Sequence, residues 1–138
     1  MKQPTEDLLQ IRSHEGSGFA PLLRFGSWRV AMTNAARDER TGAFQRHLKT
    51  DECFVMLSGE GCMLVAGGEE RPGEICRADM ERGKVYNVRR GVWHAHMMRA
   101  GSSLLIVEND DTGEANSDTY VLDAGEQEAL NRLLGADL

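Results

Sequence analysis

Gln45-Arg46-His47-Leu48-Lys49-Thr50-Asp51-Glu52-Cys53-Phe54-Val55-Met56-Leu57-Ser58-Gly59 is the stretch on which the fold is decided. A polar head carrying His47 and Glu52 runs into an apolar strand and stops at a glycine turn. From Glu52 to Leu57 the two-residue period puts Glu52, Phe54 and Met56 on one face and Cys53, Val55 and Leu57 on the other. Ser58-Gly59-Glu60-Gly61 then reads as a tight turn, and Cys62 to Ala66 as the returning strand of a hairpin. The counterpart of this stretch lies downstream, from Gly83-Lys84-Val85-Tyr86 through Arg89-Arg90-Gly91-Val92-Trp93-His94-Ala95-His96. The two stretches are expected to form opposite walls of one pocket.

Short strands at close spacing, separated by glycine-rich turns, continue on both sides of this pair. Trp28, Val30 and Met32 alternate as in a half-buried strand, Gly67 to Gly73 marks a turn, and Glu74 to Arg77 is a short strand. Leu104 to Glu108 and Thr119 to Leu122 are further strands. Such a succession predicts an all-β sandwich or barrel. Residues 1–20 read as an N-terminal extension with a turn of helix at Asp7 to Ile11. The tail changes period: Asp123 and Glu126 resemble a capping box. Ala129, Leu130, Leu133 and Leu134 follow at helical spacing. A short helix over residues 123–135, resting its leucines on the sheet, is expected. Met56, Met63, Met97 and Met98 are expected to fill the core.

The 138 residues suit one domain over 1–138. Acidic side chains outnumber basic ones 22 to 16, for a net charge of -6, and Arg89-Arg90 is only a pair, which argues against a nucleic-acid partner. Leu104 to Val107, the longest aliphatic run, is too short to span a bilayer. The first seven residues lack the basic-then-apolar order of a signal peptide. Cys53, Cys62 and Cys76 are odd in number and have no CxxC spacing, so buried reduced thiols and a cytoplasmic location are expected.

Gln45 and His47 are two apart and share a strand face, as do His94 and His96. If both strands close around one interior, Gln45, His47, Glu52 and His94 can converge. Each residue has a plainer reading as well. His47 and Glu52 suit a solvated strand edge, and His96 a satisfied histidine beside the site. Trp93 suits plain core, and Tyr86 an ordinary packed aromatic. Arg46 points away from the Gln45–His47 face.

These residues resemble the two motifs of the cupins, small double-stranded β-helix barrels of the jelly-roll type. The second motif histidine falls on His47, the glutamate on Glu52, and the closing glycine on Gly59. Gln45 stands where the first histidine is usual. The second motif runs from Gly83 to Gly91 and His94, with Arg89 in place of its proline and Met98 in place of its asparagine. Within the cupins the chain is similar to ureidoglycolate lyase, in Arg46-His47, the Phe54 strand, Tyr86 to His94 and Leu105 to Glu108. That family cleaves ureidoglycolate to glyoxylate and urea.

The resemblance implies a divalent Mn, Fe, Ni or Zn ion held by Gln45, His47, Glu52 and His94. It further implies Glu52 and His96 as proton carriers, Tyr86 and Trp93 as ligand contacts, a small polar carboxylate-type substrate, and a homodimer. A non-catalytic cupin binding a sugar or other small molecule is the competing expectation, favoured by the missing first histidine.

Overall fold

The computed structural model describes residues 1–135. Ten strands form two five-stranded antiparallel sheets. In chain order they are β1 (Gly18–Phe25), β2 (Trp28–Asn34), β3 (Ala43–His47), β4 (Glu52–Ser58) and β5 (Gly61–Ala66). They continue as β6 (Ile75–Asp79), β7 (Val85–Val88), β8 (Trp93–Met98), β9 (Ser103–Asn109) and β10 (Ser117–Val121). A 3-10 turn spans Glu114–Asn116, and α1 spans Ala124–Leu134. One sheet has the order β1-β2-β9-β4-β7 and the other β10-β3-β8-β5-β6. This is the expected jelly-roll of the cupin type, with a short C-terminal helix.

Two cores hold it. Between the sheets, Ala31, Phe54, Met56, Met63, Met98, Leu104 and Ile106 pack together, each at most 3% exposed. On the outer face of the second sheet, Phe44, Leu64, Trp93 and Met97 pack beneath Leu130 and Leu134 of α1. Burying each large apolar side chain contributes about 1.5–3 kcal/mol, so α1 closes a face that would otherwise be open. Asp123 caps it: its carboxylate accepts from Glu126 N at 2.8 Å, and Glu126 accepts from Asp123 N at 2.9 Å. All four methionines expected in the core are there.

Several expectations change. β1 begins at Gly18, inside the stretch read as extension, and Gly26 at φ +58° turns it back into β2. No helix forms near Asp7; a turn returns Leu8 N and Leu9 N to Thr5 O instead, too short a run to nucleate one. In β2 the interior face belongs to Arg29, Ala31 and Thr33, while Trp28 is 42% exposed. The apolar alternation there marks the outer face of the first sheet. Of the helix leucines, Leu133 is 55% exposed. Of the three free cysteines only Cys62 is buried. Among the described residues, no helix is long and apolar enough to cross a membrane.

Candidate metal centre

The turns that carry the two sequence motifs are stapled to each other. Asp51, in the β3–β4 turn, accepts Arg90 N–H at 2.7 Å and Asn87 Nδ2–H at 3.1 Å. Gly91 N donates to His47 O at 2.8 Å, and Gly91 has φ +80°, which only glycine adopts at little cost. The register follows: Gln45 pairs with His94 between β3 and β8, and Glu52 pairs with Val88 between β4 and β7. Side chains then alternate so that His47, Glu52 and His94 point between the sheets.

They meet there. Glu52 Oε2 lies 2.9 Å from His47 Nε2 and 2.9 Å from His94 Nε2. All three are buried. His94 Nδ1 is 3.0 Å from Val92 O, an acceptor only, so Nδ1 carries the ring proton donated there. Nε2 of His94 is therefore the nitrogen left to face the carboxylate oxygen, through its own proton or a cation held between the two. His47 Nδ1 is likewise held, 2.7 Å from Ser117 Oγ. These outer partners orient the rings as they do around bound metals. His47, Glu52 and His94 are the group of described residues whose donor atoms all lie within 4.8 Å of one another.

The electrostatics agree. Burial pushes the Glu52 pKa up, but the hydrogen bonds and charges of His47 and His94 outweigh it and draw it down to about 2. Burial opposes a charged His47, yet the hydrogen bond to Glu52 and the charges of Glu52 and Glu108 raise its pKa above the usual value. His96 is different. Enclosure lowers its pKa to about 4, its Nε2 has no partner, and its ring packs 5.8 Å from Phe54.

The group sits at the floor of a cavity of about 710 Å³. Gln45 and His96 line it with the three central residues, but Gln45 is exposed, on the mouth side. Thr41, Thr112, Ser117 and Thr119 add hydroxyls, and Phe19, Phe54 and Ile106 add apolar wall. Trp93 lies elsewhere. One residue before His94, it faces the α1 side, 2% exposed, with its ring 6.2 Å from Tyr120 and the Arg46 guanidinium 4.5 Å above it. Tyr86 is also outside the cavity lining; its hydroxyl accepts Glu81 N–H at 2.8 Å. Arg46 does point away from the site, pairing with Asp118 at 2.8 Å.

Two site residues escaped the sequence reading: Arg29 and Glu108. Arg29 Nη2 reaches Glu108 Oε1 at 2.7 Å, and Glu108 Oε2 is 3.9 Å from His47 Nε2. Burial, then the Glu52 charge, raises the Glu108 pKa. The signal was present: Leu104, Ile106 and Glu108 share a parity, so an interior Leu104 requires an interior Glu108.

No protein-family model matches the chain, and no curated protein does. Solved structures do. The chain is similar to the capsular polysaccharide assembling protein CapF of Staphylococcus aureus, at 19% identity and a TM-score of 0.57. That match covers 84% of this chain and 32% of CapF. It is similar to Streptomyces PAC13 solved with uridine, at 11% identity and a TM-score of 0.56, over 82% of this chain and 87% of that one. KdgF of a Halomonas species follows at 7% identity and a TM-score of 0.51, over 70% and 81%. The chain thus spans about a third of CapF but most of PAC13 and KdgF. These likenesses show the fold: two sheets closed as a cupin barrel.

Proposed function

We propose that this chain is a metal-dependent cupin enzyme acting on a small polar metabolite that carries a carboxylate. The observation that carries the reading is the meeting of His94 Nε2, His47 Nε2 and Glu52 Oε2 at 2.9 Å, with His94 Nδ1 engaged elsewhere. Two imidazoles and a carboxylate suit Mn, Fe, Ni or Zn. A bound divalent ion supplies Lewis acidity toward a carboxylate or carbonyl oxygen. The residues do the rest. Ser117 and Val92 hold the rings, Glu52 is the carboxylate at the floor, and the hydroxyl of Thr119 presents a donor to a polar ligand. His96, uncharged above pH about 4, offers a neutral nitrogen that can take or return a proton.

Charge supports the ion. Arg29 is matched to Glu108, which leaves Glu52, its pKa drawn down to about 2, as the carboxylate facing the two histidines. A divalent cation is matched by that carboxylate. The ureidoglycolate lyase resemblance names the first substrate to try. Untagged protein is analysed for metal, then incubated with ureidoglycolate while glyoxylate and urea are followed. Full activity after complete metal removal would eliminate the metal version, and no product with any metal would remove the lyase assignment. The second reading, a non-catalytic binder of a sugar or other hydroxylated molecule, is favoured by the exposed Gln45 and the hydroxyl-lined mouth. Ligand-induced thermal shifts without turnover support it.

The partner we propose is a second copy, seated on the outer face of the first sheet. Two cross-strand rows, Asn87–Cys53–Val107–Val30–Leu23 and Val85–Val55–Leu105–Met32–Ala20, contain no charged side chain. Phe25, Trp28, Leu57 and Val85 are 42–73% exposed on or beside them. Monomers rarely leave an apolar patch beyond a few hundred Å² open.

A further inference from the structure

Arg29 is the one arginine or lysine among the described residues that line the cavity. It lies on the inward face of β2, directly across from Glu108 in the β2–β9 register, and its side chain is 16% exposed. Four hydrogen bonds fix the guanidinium. Nε and Nη2 donate to Glu108 Oε1 at 3.2 and 2.7 Å, Nη1 donates to Asp110 O at 3.2 Å, and Nη2 donates also to Thr112 O at 3.3 Å. Cζ stands 5.4 Å from the centre of the Phe19 ring, another part of the cavity wall.

The pairing with Glu108 is incomplete. A guanidinium and a carboxylate commonly meet as a fork, two parallel N–H···O bonds that use both oxygens. Here both bonds end on Oε1, and Oε2 has no hydrogen-bond partner among the described residues. An arginine carries five N–H groups, and the four bonds leave one of them, on Nη1. Stability alone does not account for this arrangement, since apolar side chains of similar volume often serve a buried site as well as an ion pair does. Glu108 cancels the charge of Arg29 but leaves that donor. What the wall offers a ligand is therefore a directed hydrogen bond from a group already held in place, which keeps the ordering cost of binding small.

We propose that Arg29 is a specificity-determining residue that takes the ligand's carboxylate through Nη1 and leaves the carbonyl or hydroxyl end of the molecule for the His47–Glu52–His94 floor. The proposal deepens the reading of a small carboxylate metabolite given above and rests on it. Glu108 meets Arg29 through Oε1 and lies 3.9 Å from His47 Nε2 through Oε2. Arg29 and the floor are thus one carboxylate group apart, a gap that a short hydroxy or oxo acid bridges.

Calorimetry on untagged, Co²⁺-loaded protein tests this, with lactate and malonate as probes against their neutral amides, lactamide and malonamide. At least one acid should bind, about tenfold or more tighter than its amide. Arg29→Gln should weaken that binding by about ten- to a hundredfold, while Co²⁺ affinity does not fall, because Glu108 keeps its charge. Arg29→Lys retains a charge and a donor, should fall between the two, and serves if the Gln variant does not fold. Acid binding equal in wild type and variants would overturn the proposal and leave the carboxylate to the ion. Failure of both acids to bind would overturn it too, and a parallel loss of Co²⁺ affinity would make Arg29 a structural residue only. A wild-type protein that binds no Co²⁺ would instead sink the metal reading, and the same titrations on metal-free protein would then decide the role of Arg29.

Discussion

His94 Nε2 and Glu52 Oε2 lie 2.9 Å apart, although 42 residues of chain separate them. With His94 Nδ1 donating to Val92 O, Nε2 is the nitrogen that meets the carboxylate. Glu52→Gln removes the charge and keeps the shape. Metal affinity should fall at least a hundredfold, about 3 kcal/mol, read by calorimetry on stripped protein.

The same carboxylate sets an acid limit. Its pKa is about 2 in the fold against 4.5 for the free group. A depressed carboxylate stabilises the fold above its unfolded pKa and loses that contribution as pH falls toward the folded one. Urea unfolding of metal-free protein should therefore show stability declining from pH 4.5 toward 2, by on the order of 2–3 kcal/mol. Glu52→Gln should flatten that limb, and an unchanged limb would contradict the assignment.

How much of this was legible beforehand depends on which interactions are local. The β4–β5 hairpin, the Asp123–Glu126 box and the shared faces of Gln45/His47 and His94/His96 follow from spacing alone. The convergence of His47 and His94 does not. It needs Asp51 to reach Arg90 and Asn87, and Gly91 to reach His47, contacts that periodicity cannot state. Parity also misled where a strand carries its large apolar residues on the outer face. Trp28, Val30 and Met32 look like core because nothing in the sequence says that a sheet's outer face can be as apolar as its inner one. Arg29 was overlooked for that reason, and Trp93 was given to the pocket although its neighbour His94 already occupied that face.

A second pH dependence should appear at milder acidity. Enclosure lowers the His96 pKa to about 4 from 6.5, so the fold favours its neutral ring. That contribution is complete above pH 6.5 and is lost as pH falls from 6.5 to 4, by about 3 kcal/mol at most. Chelator-stripped His96→Gln should lack this decline while keeping the lower one set by Glu52. Parallel curves for the two proteins between pH 6.5 and 4 would show that His96 does not titrate in this way.

Gly59 closes the β4–β5 hairpin at φ +85°, where a side chain is strained. A Cβ there would also stand 2.7 Å from Ser102 Cα. Ser102 in turn accepts Glu60 N–H at 3.0 Å and donates to Glu60 O at 3.1 Å, which ties this hairpin to the start of β9. Gly59→Ala should cost about 2–3 kcal/mol, several degrees in Tm. Because β4 carries Glu52 at its other end, metal affinity should suffer less than stability.

The uncharged outer face of the first sheet makes the last prediction. A stable interface buries about 800 Å² per partner. Phe25 at 73% exposed, Val85 at 65% and Trp28 at 42% already supply a large share, with the half-buried Leu23, Val30, Met32, Val55, Leu105 and Val107 between them. A two-fold axis through the sheet would set each row against its own copy, so one surface serves both partners. Trp28→Lys and Val85→Lys alter exposed side chains and leave both cores untouched. They place like charges across the axis, where repulsion and burial act together. Sedimentation of the wild type should give a dimer, and the double variant a monomer with unchanged circular dichroism. A wild-type monomer at tens of micromolar would leave this face without the occupant assigned to it.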